Sequence, residues 1–348
     1  MTDFRLRLFA RTPAGWSLAV LAVLLGAAFI ACTGGEPDAE SQPAAASRRA
    51  PPPTSTSPPL VVPPPTIPGL TSPPEGAFTS VTVGVSHSCG VKADGAVECW
   101  GDDQYGKSSP PSGSFGSVSA GVSHTCGVRT DGSIACWGAD IEGESSPPHG
   151  AFTAVSVGAS YGCAIRADGS VACWGFDYLG QSSPPAQPFV SVSAGWEHAC
   201  GVRADGSVEC WGQGFRWVSH CSKDEGCGSG HEWSDAETLR PVGGWFISVS
   251  AGDDYSCGVT LSGAILCRGP WAESLTADGP FMSVSTGFAH ICGVKSDGTV
   301  VCWGRDSEGQ ASPPDGAFTS ISAGRWHTCG LRPGGSIECW GLGSDEAQ

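Results

Sequence analysis

The stretch Cys89-Gly-Val-Lys-Ala-Asp-Gly-Ala-Val-Glu-Cys99-Trp-Gly101 reads as a β-hairpin closed by its own disulfide. Ala93-Asp94-Gly95 has the form of a three-residue loop, a type I turn followed by a left-handed residue, which glycine adopts without steric cost. Centring the hairpin on Asp94 sets Val91 opposite Val97 and Cys89 opposite Cys99. Side chains alternate across a strand, so these four share one face. Directly opposed residues bring Cβ atoms within reach of an S–S bond.

The stretch returns six times, opening at Cys126, Cys163, Cys200, Cys257, Cys292 and Cys329, with partners ten residues on at Cys136, Cys173, Cys210, Cys267, Cys302 and Cys339. Each bridge closes a loop worth roughly 2–3 kcal/mol of chain entropy. Upstream of each hairpin runs Phe-x-Ser-Val-Ser-Ala-Gly or a variant; downstream of the first three runs a tail ending Ser-Ser-Pro-Pro, and of the sixth one ending Ala-Ser-Pro-Pro. The glycines closing the first strand are Gly84, Gly121, Gly158, Gly195, Gly252, Gly287 and Gly324, spaced 37, 37, 37, 57, 35 and 37 residues apart. No stretch of the repeats carries the 3.6-residue apolar rhythm of a helix. Three or four short strands per repeat, seven times over, predict an all-β, seven-bladed β-propeller over residues 71–344, with an insertion at about 213–243 in the fourth blade.

These repeats resemble the regulator of chromosome condensation repeat family, on Ser-Ala-Gly-x-x-His, Asp-Gly-Ser-Val and Cys-Trp-Gly as they stand in the second and fourth copies. The resemblance implies a seven-bladed propeller. The paired cysteines depart from the intracellular members and imply export. The secreted β-lactamase inhibitory propellers of the same fold, which only bind, are the nearer analogy.

Ahead of the repeats, residues 1–32 resemble an export signal, with Arg5, Arg7 and Arg11 before an apolar run from Ala14 to Ala31. Phe29-Ile30-Ala31-Cys32 resembles a lipobox whose cysteine is lipidated, although Phe29 stands where an aliphatic residue is usual; ordinary cleavage and an uncleaved anchor are the alternatives. Cys32 is also the cysteine left over once seven hairpin pairs and Cys221 with Cys227 are counted among the 17. Residues 33–70, rich in Pro, Ser and Ala, read as a polyproline-type spacer. Cysteine usage places the chain in an oxidising compartment, a bacterial envelope facing periplasm or exterior. A formal charge of −16 argues against nucleic acid as a partner.

The chain stops at Gln348 before a seventh Ser-Pro-Pro tail, while Thr71-Ser72-Pro73-Pro74-Glu75-Gly76 precedes the first repeat. This orphan is expected to supply the outer edge of the seventh blade. Pro-Pro on each outer strand would blunt edge pairing.

A set of residues that recurs in every blade serves the fold, since an active site is needed once. His87, His124, His198, His290 and His327, with Tyr161 and Tyr255 at the same position, are expected to hydrogen-bond the next strand rather than form a metal ring. Asp103, Asp140, Asp177 and Asp306 read as Asx-turns, bonding two residues on. Trp100, Trp137, Trp174, Trp211, Trp303 and Trp340 read as blade packing, with Arg268 breaking the series in the fifth. No nucleophile elbow or phosphate loop occurs, so no catalytic residue, metal or cofactor is assigned.

Variation carries more information. The two positions after each first-strand glycine are Val85-Ser86, Val122-Ser123 and Ala159-Ser160, then Trp196-Glu197, Asp253-Asp254, Phe288-Ala289 and Arg325-Trp326. Trp196, Glu197, Asp253, Asp254, Phe288, Arg325 and Trp326, with Trp217 and Trp233 of the insertion, are the candidate surface for a protein or peptide partner. Drift of exposed loops is the bland alternative. His220, Cys221, Cys227 and His231 admit a zinc site, but a Cys221–Cys227 disulfide suits the compartment better. A glycan-binding propeller, and a propeller lyase or hydrolase, are the other functions open to this chain.

Overall fold

The structure is a computed structural model that describes residues 69–222, 226–235, 245–269 and 275–342, with the backbone alone for 213–222 and 226–235. The signal-like segment with Cys32 and residues 33–68 of the Pro-rich spacer lie outside the described residues; the spacer's last residue, Leu70, is described and is buried against the first blade.

Seven antiparallel sheets follow one another along the chain. Their first strands are Phe78–Val83, Phe115–Ala120, Ala154–Val157, Ser191–Ala194, Phe246–Ala251, Phe281–Thr286 and Ser320–Ala323 (blades 1 to 7). The second strands begin at the His or Tyr position, except in blade 5, where the strand is Ser256–Thr260. The third strands carry the second cysteine. Five blades have three strands; Gly226–Asp235 and Thr276–Ala277 add a fourth to blades 4 and 5. The insertion continues the third strand of blade 4 as Val208–Ser222 and returns as the antiparallel strand Gly226–Asp235. Its register sets Cys221 opposite Cys227.

The hairpins form in the expected register, with Cys89 opposite Cys99 and Val91 opposite Val97. Their turn glycines take φ between 79° and 91°. The seven hairpin bridges, all among the described residues, each join a cysteine to the one ten residues on, with Cα atoms 4.0–4.1 Å apart. Each bridge also serves the seam between blades. The buried Cys89 lies against Phe115 and Trp137 of the next blade, Cys292 against Phe318 and Trp340, and Cys329 against Trp100.

Seven-fold closure rests on small groups at fixed places. The second serine of Ser-Val-Ser-Ala-Gly, or its threonine substitute, accepts the N–H of the next blade's first strand at 2.9–3.1 Å in every seam, ending with Val83 N–H to Ser322. The Phe78 N–H donates to Gly335 O at 2.8 Å, the same bond that Phe115 makes to Gly95. Around the axis, a Cβ on Gly84, Gly121, Gly158, Gly195, Gly252, Gly287 or Gly324 would stand 2.2–2.9 Å from the next glycine's carbonyl oxygen. Any side chain there would force the blades apart.

The orphan N-terminal segment fills a place that the tails fill elsewhere. Trp174, Trp211 and Trp340 donate their indole N–H to the carbonyls of Glu144, Gln181 and Gln310 in the preceding tail; Trp100 donates to Leu70 O at 3.1 Å. Two expectations are corrected here. The Ser-Pro-Pro tails are turns and bends, with one 3-10 turn at Gln104–Gly106, rather than outer strands, so Pro-Pro sits off the ladder, and the orphan closes the seam between blades 7 and 1 instead of adding a strand. The tail aspartates also reach farther than an Asx-turn. Asp103 accepts from the Ser108 N–H and the Ser109 hydroxyl, five and six residues on, and Asp140, Asp177 and Asp306 repeat this.

Candidate functional site

Each first strand ends at its glycine, whose N–H donates to the carbonyl of the His or Tyr three residues on. The two intervening residues form a tight loop at one end of the channel. The first of each pair turns to the axis, so Val85, Val122, Ala159, Trp196, Asp253, Phe288 and Arg325 ring the mouth. Three blades contribute small apolar groups and four contribute aromatic or charged ones, giving the mouth two unlike halves.

Within the second half the side chains converge. The Arg325 guanidinium lies 4.3 Å from the centre of the Phe288 ring, 5.7 Å from that of Trp196 and 5.0 Å from that of Trp326. Trp196 and Phe288 meet edge to face at 6.5 Å. Asp253 stands beside this cluster, and its carboxyl is pushed up to about 7 by burial and by Asp254, with Arg325 opposing and Glu197 adding. Burial also raises Glu197. The mouth thus brings together Trp196, Asp253, Phe288 and Arg325 of the sequence candidates. The second residues of the pairs, Glu197, Asp254 and Trp326, do not line it; Trp326 instead carries Arg305 over its ring at 5.0 Å. In the insertion hairpin Trp217 pairs with His231 and Trp233 with Phe215.

The recurrent histidines face the next blade. His87 Nε2 meets Thr125 Oγ1 at 2.7 Å, His198 meets Ser256, His290 meets Thr328 and His327 meets Ser88 across the closing seam. Where the next blade offers Ala199 or Ile291 in place of Ser or Thr, the residue is Tyr161 or Tyr255, whose hydroxyl reaches past to the His198 or His290 carbonyl. For His124 the corresponding residue of the next blade is Gly162, which has no side chain to offer, and its ring nitrogens have no hydrogen-bond partner. Burial is the main cause holding these histidines at about 3 to 4. The Ser–His contacts are sealed in the seams and repeat around the ring, which suits a clamp rather than a nucleophile and its base. Among the described residues no group of three His, Cys, Asp or Glu side chains is placed to hold a metal ion. No helix among them is long and apolar enough to cross a membrane.

The family model "Regulator of chromosome condensation (RCC1) repeat" matches residues 78–107, 117–144, 152–181, 189–216, 283–310 and 318–346. The chain belongs to this repeat family. Blade 5 is the sector without a match, in keeping with its missing tryptophan and short spacing. No curated protein sequence matches the chain. Among solved structures, the ectodomain of the Physcomitrella patens receptor kinase CR4 is 26% identical, with a TM-score of 0.60, covering 77% of this chain and 75% of that one. The CRINKLY WD40 ectodomain of the Arabidopsis thaliana receptor kinase ACR4 gives the same identity and score, covering 78% of this chain and all of that one. Prp20p from Saccharomyces cerevisiae, 14% identical with a TM-score of 0.54 and covering 77% of this chain and 83% of that one, shares the fold.

Proposed function

We propose that this RCC1-repeat propeller is a non-catalytic binding protein of the cell envelope that takes a protein or peptide partner at the channel mouth of blades 4 to 7. The supporting observation is the convergence of Trp196, Phe288, Arg325 and Asp253 on one half of a mouth whose other half is Val85, Val122 and Ala159. A symmetric scaffold has no need for this asymmetry. Aromatic and arginine side chains clustered at a partly desolvated centre are the usual composition of an interface hot spot. The family supports binding as the role: Prp20p is described through its binding to Gsp1p and histones. Seven internal disulfides support an exported chain, with Cys32 as its lipid attachment.

A sugar-stacking site is less well supported, because Arg325 already covers the Phe288 face. The test is capture from envelope extract by the full chain and by a variant carrying Trp196→Ala, Asp253→Ala, Phe288→Ala and Arg325→Ala. Loss of the captured partner with unchanged thermal stability supports the mouth as the site; unchanged capture removes it.

A further inference from the structure

The channel mouth carries two polar side chains without partners. Arg325 makes no side-chain hydrogen bond and no direct ion pair among the described residues, and its Nε is buried without an acceptor. Asp253 lines the same opening and also makes no side-chain hydrogen bond among them. The two feel each other's charge yet do not close into a pair, whereas Lys107 reaches Asp102 at 2.7 Å in the tail of blade 1. Arg325 is held by its faces instead, 4.3 Å from the centre of Phe288 and 5.0 and 5.7 Å from those of Trp326 and Trp196. A guanidinium stacked in this way keeps its N–H edge free, a rigid fork that matches a carboxylate. Arg325 and Asp253 are also the only ionisable side chains among the described residues that line the mouth. Beyond them the channel wall includes Val83, Ala120, Val157, Ala194, Ala251 and Ala323, around a space of about 100 Å³. An apolar cavity of roughly 150 Å³ takes a benzene ring, so this smaller one suits an aliphatic side chain.

Resting on the function proposed above, we infer that the mouth receives the carboxyl terminus of a partner polypeptide, its chain-end carboxylate forked onto Arg325 and its last side chain, Ala, Val or Leu, in the channel. Asp253 completes the seat. Burial and Asp254 push its carboxyl up to about 7, so below that pH it carries a proton to donate to the incoming oxygen. The gap between Arg325 and Asp253 is then bridged by a group that accepts from both. A cationic ligand has Asp253 alone to pair with and meets Arg325 head-on. An internal Asp or Glu would have to bring backbone on both sides of it past Trp196 and Phe288, whereas a chain end brings a single strand. At −16 the chain repels extended polyanions, so the anion it takes is one carboxylate met at contact distance. Chain-end carboxylates are a recurring recognition feature for this reason: one small group fixes the register of everything before it.

The probe is a library of randomised hexapeptides anchored by their N-termini, each made with a free carboxyl end and as the primary amide, and exposed to the labelled full chain. Captured peptides are expected to be free acids enriched in Ala, Val or Leu at the last position. In calorimetric titration of a captured peptide, amidation should weaken binding at least tenfold, and Arg325→Gln should do the same. Affinity should rise from pH 8 to pH 6. Asp254 and Tyr255 of its own blade, Arg325 of blade 7 and Glu197 of blade 4 face Asp253, and Asp253→Asn, which should flatten the rise, separates its proton from theirs. Should Arg325→Gln not fold, the comparison of acid with amide in the unaltered protein decides. Absence of any binder, amides that bind as well as acids, an internal Asp that serves as well as a chain end, or N-acetylvaline that binds as tightly as the hexapeptides overturns the inference. Capture from envelope extract, repeated after carboxypeptidase digestion of the extract, reads the mouth and the chain end separately. Loss of capture on digestion supports the chain end; capture that survives digestion but is lost in the quadruple variant keeps the mouth and overturns the chain end.

Discussion

The smallest unit of this fold is a pair of residues in adjacent blades. His pairs with Ser or Thr in four seams; in two, where the next blade offers Ala or Ile and so no hydroxyl to pair with, Tyr stands instead and its longer phenol reaches past to a backbone carbonyl. Converting one seam to the other kind tests this. His290→Tyr alone meets Thr328 and is expected to cost about 2 kcal/mol or more; adding Thr328→Ala should recover at least half, measured by urea denaturation. The same residues govern acid stability. The five buried histidines are neutral in the folded chain, held at about 3 to 4, while the unfolded chain takes up protons near 6.5. The unfolded state therefore binds more protons below that pH. Stability is fully present above about 6.5 and is lost toward 4, at about 1.4 kcal/mol per pH unit per histidine. Denaturation midpoints at pH 7, 5.5 and 4.5 should fall steeply, and less so in the double variant. Asp253 has the opposite sign. Its carboxyl gains protons as pH drops through about 7, so partner capture should change between pH 6 and 8, and Asp253→Asn should flatten that change.

At the scale of the element, two kinds of glycine are separable. Gly121 has no room for a Cβ, which would lie 2.4 Å from the Gly158 carbonyl oxygen, whereas Gly143 has a φ of 81° with open space around it. Gly143→Ala should cost about 1 kcal/mol of backbone strain, and Gly121→Ala several times that, since two backbones must part; chemical denaturation of the two variants gives the ranking. Equal costs would mean the ring relaxes more easily than its packing implies. The hairpin, its turn and its bridge were legible in the sequence because all three are settled within thirteen residues. The role of Phe and Trp as a cover for the preceding blade's disulfide was not, because that contact joins residues in different repeats. Yet some inter-blade rules were written in the repeats. The second serine of Ser-Val-Ser-Ala-Gly recurs because its hydroxyl bridges to the next blade, and the swap of His for Tyr tracks the residue 38 positions on in most seams. What hid them is that residues one period apart are distant in the chain and neighbours only once the ring exists. The mouth half was legible in part: the pairs of unlike residues pointed to it, but only the backbone shows that Trp196 turns inward while Glu197 does not.

The whole molecule is held closed by a segment that precedes its first strand. Leu70 is fully buried and accepts the Trp100 indole, so the seam between blades 7 and 1 is sealed by the same device as the seams closed by Glu144, Gln181 and Gln310. A ring closed by non-covalent contacts has one weak join, and here that join has the disulfide of Cys329–Cys339 on one side, Trp100 on the other and Leu70 across them. Every other pair of blades is also tethered through the chain; this pair is not. Leu70→Ala should therefore cost about 2–4 kcal/mol, with a distinctive pattern. Amide exchange should rise first in Phe78–Val83 and in His327–Leu331, the strands that meet at the join, while blades 3 and 4 keep their protection. The equivalent change at Gln181, in a seam whose blades stay tethered by the chain, should loosen its own seam without releasing strands elsewhere. Uniform loss of protection across all seven blades in the Leu70→Ala protein would show that the ring opens as one unit and that closure has no privileged seam.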